Sequence, residues 1–220
     1  MDVFLDASAW VLPVLLAVLL HEIAHGWMAE KFGDDTARHM GRITLNPLKH
    51  IDPMGTVALP TLLWLAHSPI LFGSAKPVPV NFSRLNPPRL GMIAVALAGP
   101  ITNLILAIIT GLLLHIETFI TPEQAPWLFE NLYRCLMLNC VLATFNMIPL
   151  LPLDGGRVVY ALLRGRAQRL FGRLERIGLG ILIALLLIPA MLGYSAIQNA
   201  LMVPPFWLLQ GVMMLTGNGH

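Results

Sequence analysis

The chain has 220 residues, 56% of them hydrophobic and only 12% charged, about half the charged fraction of an ordinary soluble domain. Apolar runs approach the ~20 residues that a helix needs to cross a hydrocarbon core, so disordered, fibrous and soluble classes give way to a polytopic membrane protein. A net charge of +2 is too small and too dispersed for a nucleic-acid footprint, and no polar block can bury a core outside the bilayer, so a single domain over 1–220 is expected.

Hydrophobic stretches fall at about 8–29, 54–72, 89–115, 127–150, 174–194 and 197–216, predicting an all-α protein with five or six transmembrane helices. The N-terminus lacks the basic region and cleavage site of a signal peptide, so the first run is expected to remain in the mature protein. Lys31, Arg38, Arg42 and Lys49 follow the first stretch and Lys76, Arg84 and Arg89 the second; both connections therefore read as cytoplasmic. Six full crossings would separate them across the membrane. Stretch 54–72 is short, holds Pro60, Pro69 and His67, and is read as re-entrant or poorly spanning, with a true span as the alternative. The irregular segment 31–90 carries candidate strands at Gly41–Leu45 and Pro77–Asn81, expected as a small re-entrant or β element beside a hydrated site, because irregular backbone at membrane depth survives only inside protein or along a wet cavity.

The loop at Thr118–Pro126 has no basic residue, whereas Arg157, Arg164, Arg166, Arg169, Arg173 and Arg176 crowd the connection after the fourth stretch. This cluster is read as a topology and headgroup anchor. The C-terminal helical pair, 174–216, reads as structural. Cys135 and Cys140 lie five apart in one apolar run and point in different directions on a helix, which gives no disulfide framework.

Inside the first span, His21-Glu22-Ile23-Ala24-His25 puts two imidazoles four residues apart on one helical face, a spacing that chelates a metal, with Glu22 beside it as a candidate proton acceptor. Ionisable groups in an apolar span are costly to desolvate, so function is the favoured explanation. A catalytic zinc usually has three protein ligands. The candidate third is Asp154, in Asn146-Met-Ile-Pro149-Leu-Leu-Pro152-Leu-Asp154-Gly155-Gly156, where two prolines break the helix and the glycine pair lets the chain turn back. On its own, Asp154-Gly155 reads as an ordinary turn.

Together the two patterns resemble the site-2 protease family, whose His-Glu-x-x-His helix is paired with a later Asn-x-x-Pro-x-x-x-Leu-Asp-Gly motif. Gly99-Pro100-Ile101-Thr102-Asn103 is similar to that family's Gly-Pro-x-x-Asn element, and Asn46–Gly55 and Ala75–Asn81 resemble its short members. The resemblance implies one Zn²⁺ held by His21, His25 and Asp154, Glu22 as catalytic base and acid, and Asn146 as a group positioning substrate. No polar segment has room for the PDZ or CBS modules of larger members. With no span ahead of the motif helix, the N-terminus is expected outside the cytoplasm. The metal then lies toward the cytoplasmic face, His25 being about 9 Å of helix rise from Lys31.

His50 and Asp52 form a competing His-x-Asp pair, but Asp52 before Pro53 reads more simply as a turn former and His50 as a loop or entrance residue. Asn103 is a candidate polar lining of the water and substrate path. Val78 and Val80 are candidate substrate-binding positions, their amides pairing with an unwound stretch of a transmembrane protein substrate, with the strand near Gly41–Leu45 as the alternative. The expected function is hydrolysis of peptide bonds in or near transmembrane segments, in a multi-pass protein of a prokaryotic cell membrane. The competing reading is a non-catalytic metal or ion carrier using the same ligands.

Overall fold

The computed structural model describes residues 3–58, 61–62, 65, 76–192 and 195–219. Helix α1 is Val3–Lys31, α2 is the single turn Thr36–His39, and α3 is Pro88–Leu113. Helix α4, Pro126–Asn146, is followed by α5, Asp154–Leu162, and the short basic α6, Gly165–Gly172. The last two are α7, Glu175–Leu192, and α8, Ser195–Leu215. The predicted spans therefore reappear as helices with edges shifted by a few residues, except 54–72.

Small residues decide how the long helices meet. Along α1 one line of buried positions recurs every four residues: Ala9, Pro13, Ala17, His21, His25 and Ala29. Along α3 a matching line runs through Gly91, Val95, Gly99, Asn103, Ala107 and Gly111. Two such stripes let backbones approach closely, the packing that stabilises helix pairs in lipid, where burying large apolar side chains gains little. Bulky side chains point the other way: Leu12, Val14, Leu16, Ile101, Ile105 and Ile109 are exposed. That distribution suits a hydrocarbon solvent and would be costly in water.

Helices α1, α3 and α4 pack pairwise into the core. Trp127 Nε1 at the start of α4 donates to Ser8 Oγ near the start of α1 at 2.8 Å, so these two run alongside each other. Between them α3 runs in the opposite sense, with Val95 beside the end of α1 and Ala107 beside α4 and α8 in the cluster of Leu114, Phe129, Leu136, Cys140 and Val212. Since α1 ends where α3 begins, residues 32–87 leave and return at one level.

Two expectations are corrected. Among the described residues only Ser8–Lys31 and Pro88–Thr118 are long and apolar enough to cross a membrane, with Asn199–Leu215 a shorter apolar helix, fewer than the five or six predicted. Helix α4 has sufficient length, but Glu130, Asn131, Arg134, Asn139 and Asn146 lower its hydropathy. Nor is there a strand among the described residues: Gly41–Leu45 is mostly turn and bend, and Pro77–Asn81 has no regular structure. Pro77 and Pro79 lack the N–H that a ladder needs, and the amides of Val78 and Asn81 go to the carboxylates of Glu22 and Asp34 at 2.7 and 2.6 Å. Stretch 54–72 begins with a wide helical turn, Pro53–Ala58; His67, the two prolines and most of the re-entrant reading lie outside the described residues.

Candidate metal centre

Helix α4 stops at Asn146 because Pro149 and Pro152 cannot continue it. The chain folds through 147–153 by short backbone bonds, Met147 N to Thr144 O and Leu153 N to Leu150 O among them, and α5 starts at Asp154. Glycine here provides space, since neither Gly155 nor Gly156 has a positive φ. A Cβ on Gly155 would lie 2.2 Å from the Met147 carbonyl oxygen, and one on Gly156 2.4 Å from the Leu150 carbonyl carbon. Only glycine lets the first turn of α5 sit inside the fold of the preceding loop. Helix α5 packs on α3, and that carries Asp154 to the imidazoles of α1.

His21, His25 and Asp154 are brought together, each offering one ligand atom within 4.8 Å of the others, and all three are buried. His21 Nε2 and His25 Nε2 are 3.0 Å apart, and Asp154 Oδ2 is 3.3 and 3.4 Å from them. Tetrahedral zinc with bonds of about 2.0–2.2 Å places its ligand atoms about 3.3–3.6 Å apart, so the two edges to Asp154 have the size that a zinc ion needs and the His21–His25 edge, at 3.0 Å, is slightly short of it.

The outer hydrogen bonds point to the same conclusion. His21 Nδ1 lies 2.6 Å from Asn103 Oδ1 and His25 Nδ1 lies 2.7 Å from the Val95 carbonyl. Both partners only accept, so each Nδ1 carries the proton and each Nε2 presents a lone pair. Two lone pairs and a carboxylate oxygen thus converge, and Asp154 Oδ2 is buried without a hydrogen-bond partner. A cation is what satisfies such a donor set.

Gly99 completes the cradle. A Cβ there would stand 2.5 Å from His21 Cε1 and 2.6 Å from both Nε2 atoms. The motif containing Gly99 is visible in the sequence, but its part in the site is not; the four-residue recurrence of small residues along α3 is the signal that places it opposite His21 and His25.

Glu22 is half-buried, and its Oε2 accepts the Val78 amide at 2.7 Å. Flanked by Pro77 and Pro79, Val78 has the only N–H in its tripeptide. Arg42 accepts no such role but braces this segment, donating to the Lys76 carbonyl at 2.7 Å. Val80 packs beside Ala29, Leu85 and Val95. Asn103, expected along the substrate path, is 0% exposed, and its amide is directed at His21, Asn139 and the Ala17 carbonyl. Asn146 Nδ2 donates to the Leu142 carbonyl within its own helix at 3.1 Å. His50 is buried with Nε2 3.1 Å from the Thr44 carbonyl, and Asp52 accepts the Gly55 amide at 2.7 Å; neither joins the donor cluster, in keeping with their reading as loop and turn residues.

A His-Glu-x-x-His helix and a carboxylate from a second element, closing on one buried point, define a metallopeptidase centre. Residues 9–189 match peptidase family M50. The chain is 38% identical over 198 residues to YwhC of Bacillus subtilis, named as a candidate zinc metalloprotease, covering 86% of this chain and 87% of that one. It is 31% identical over 178 residues to Rip2 of Mycolicibacterium smegmatis, likewise named, covering 80% of this chain and 66% of that one. With the zinc metalloprotease MJ0392 of Methanocaldococcus jannaschii it shares 27% identity over 155 residues, 70% of this chain and 34% of that one. No solved structure matches. The chain belongs to peptidase family M50, the site-2 protease family, and with it to the zinc metalloproteases.

Proposed function

We propose that this protein hydrolyses peptide bonds in or next to the transmembrane segments of membrane-protein substrates, as a multi-pass protein of a prokaryotic cell membrane with its site toward the cytoplasmic side. The observation carrying this reading is the convergence of His21, His25 and Asp154 within helices whose outer faces are lined by large apolar side chains. Basic residues just beyond α1, from Lys31 to Lys49, support the orientation.

His21 and His25 would hold the metal through Nε2 and Asp154 through Oδ2. The chemistry such an ion would supply is acidification of a water and polarisation of the scissile carbonyl. Glu22 Oε2 is engaged by the Val78 amide, which leaves Oε1 to take the proton of the attacking water and to pass it to the leaving amine. An unwound stretch of substrate lies along segment 76–81, Val80 offering the next amide after Pro79, and Asn146 holds the substrate at the α4 break. Replacing Val80 by Pro removes that amide. Cleavage then falls while zinc content is kept; unchanged cleavage removes Val80 from the substrate path.

The central experiment measures zinc content and cleavage of a model transmembrane substrate side by side for wild type and Glu22→Gln. The protease reading expects zinc retained and cleavage reduced about 10²–10⁴-fold, the usual contribution of a general acid–base. A variant that still cleaves at the wild-type rate overturns it, and metal transport unaffected by Glu22→Gln would point to the carrier.

A further inference from the structure

Asn139 sits in the middle of α4, 0% exposed, in a helix face otherwise buried through Phe129, Leu136, Cys140 and Ala143. A primary amide in that setting is expensive unless both ends are paired. Its Oδ1 accepts from Asn103 Nδ2 at 2.8 Å, and its Nδ2 donates to the Cys135 carbonyl at 2.8 Å. Asn103 Nδ2 also donates to the Ala17 carbonyl at 3.2 Å, and Asn103 Oδ1 faces His21 Nδ1 at 2.6 Å. The bonds form one directed line, from the backbone of α4 through two amides to an imidazole of α1.

Direction is what matters. An Asn side chain can present oxygen or nitrogen to either side, and the NH₂ of Asn103 is held by two acceptors, Asn139 Oδ1 at 2.8 Å and the Ala17 carbonyl at 3.2 Å, of which Asn139 makes the shorter bond. Because Asn139 turns its own NH₂ toward the Cys135 carbonyl, it must offer its oxygen to Asn103. Asn103 must then present NH₂ to α4 and oxygen to His21. A flipped Asn103 would offer its NH₂ to Nδ1, draw the imidazole proton to Nε2, and abolish the lone pair that ligates metal.

We propose that Asn139 is a positioning residue for the zinc centre: by orienting the Asn103 amide it fixes the tautomer of His21, although it touches neither metal nor substrate. Helix α4 thereby acts on the site twice, through Asn139 onto His21 and through the break after Asn146 that delivers Asp154.

This inference rests on the zinc reading above, and its test separates the two. Zinc affinity is measured by chelator competition on the full-length protein in detergent for wild type, Asn139→Leu, Asn139→Asp, Asn103→Leu and the Asn103→Leu/Asn139→Leu double variant. Tautomers of ¹⁵N-labelled histidines are read by NMR. Asn139→Leu is expected to weaken zinc binding by about 10-fold or more, within the range for outer-shell partners of metal ligands, and to move His21 away from its Nδ1–H form. Asn139→Asp keeps an oxygen for Asn103 and should recover most of the affinity. Since Asn139 acts through Asn103, the double variant should be no weaker than Asn103→Leu alone. Wild-type affinity and tautomer in Asn139→Leu, or additive losses in the double variant, overturn the relay. Should Asn139→Leu fail to fold, Asn139→Ser is read in its place against the same expectations. A wild-type protein that binds no zinc fails the zinc reading instead.

Discussion

At Gly99 a methyl group is the difference between a metal site and a filled space. Alanine is a better helix former than glycine by about 1 kcal/mol, so Gly99→Ala leaves α3 helical, yet its Cβ would lie 2.6 Å from Nε2 of both His21 and His25. The expected outcome is a folded protein that purifies with little or no zinc and does not cleave; metal analysis beside circular dichroism checks it, and full zinc occupancy would show that the imidazoles can retreat. The histidine pair was legible from chemistry alone, and Asp154 became a candidate ligand through the resemblance to the site-2 protease family. Two histidines four apart must share a helix face, and a carboxylate beside Pro149 and Pro152 stands where a helix must end. The uses made of Val78, Asn103 and Asn139 were not legible, because each depends on which atom of a distant residue faces it.

The same stripe logic operates along whole helices. Ala17 is 0% exposed against α3, while its neighbour Leu16 is 50% exposed on the outer face. Ala17→Leu should force α1 and α3 apart at the level of Asn103, destabilising the protein by about 1–3 kcal/mol, the usual range for overpacking. Leu16→Ala should stay within about 0.5 kcal/mol. Thermal unfolding of the two variants in one detergent compares them, and equal effects would mean that the small-residue seam does not hold the pair. Helix positions followed from the length of the apolar runs and their lack of interior charge, and the proline pair after Asn146 marked one break. The predicted strands failed at the same level of description: Pro77–Asn81 has the alternating look of a strand, yet its prolines and the carboxylates that take the Val78 and Asn81 amides leave it too few donors for a ladder.

Across the molecule, a metal held by His21, His25 and Asp154 would tie α1 to the segment that follows α4. A ligand that binds only the folded state stabilises it, by about 2.7 kcal/mol when present at 100 times its Kd. Removal of zinc by a chelator should therefore lower the unfolding temperature and readdition should restore it, in wild type and in Glu22→Gln alike, whereas His25→Ala should show no zinc-dependent shift. An unfolding temperature indifferent to chelation in the wild type would count against a site shared between elements. Composition and the His21–Glu22–His25 spacing were enough to point to a membrane-type helical protein with a metal-chelating helix, and the motif around Asp154 added the family resemblance, because hydrophobic length and helical periodicity are properties of local chain. Which helices lie side by side, that Gly99 leaves room for an ion, and that Val78 reaches Glu22 were settled by packing, because contacts between residues tens of positions apart exist only once the backbones have closed on one another.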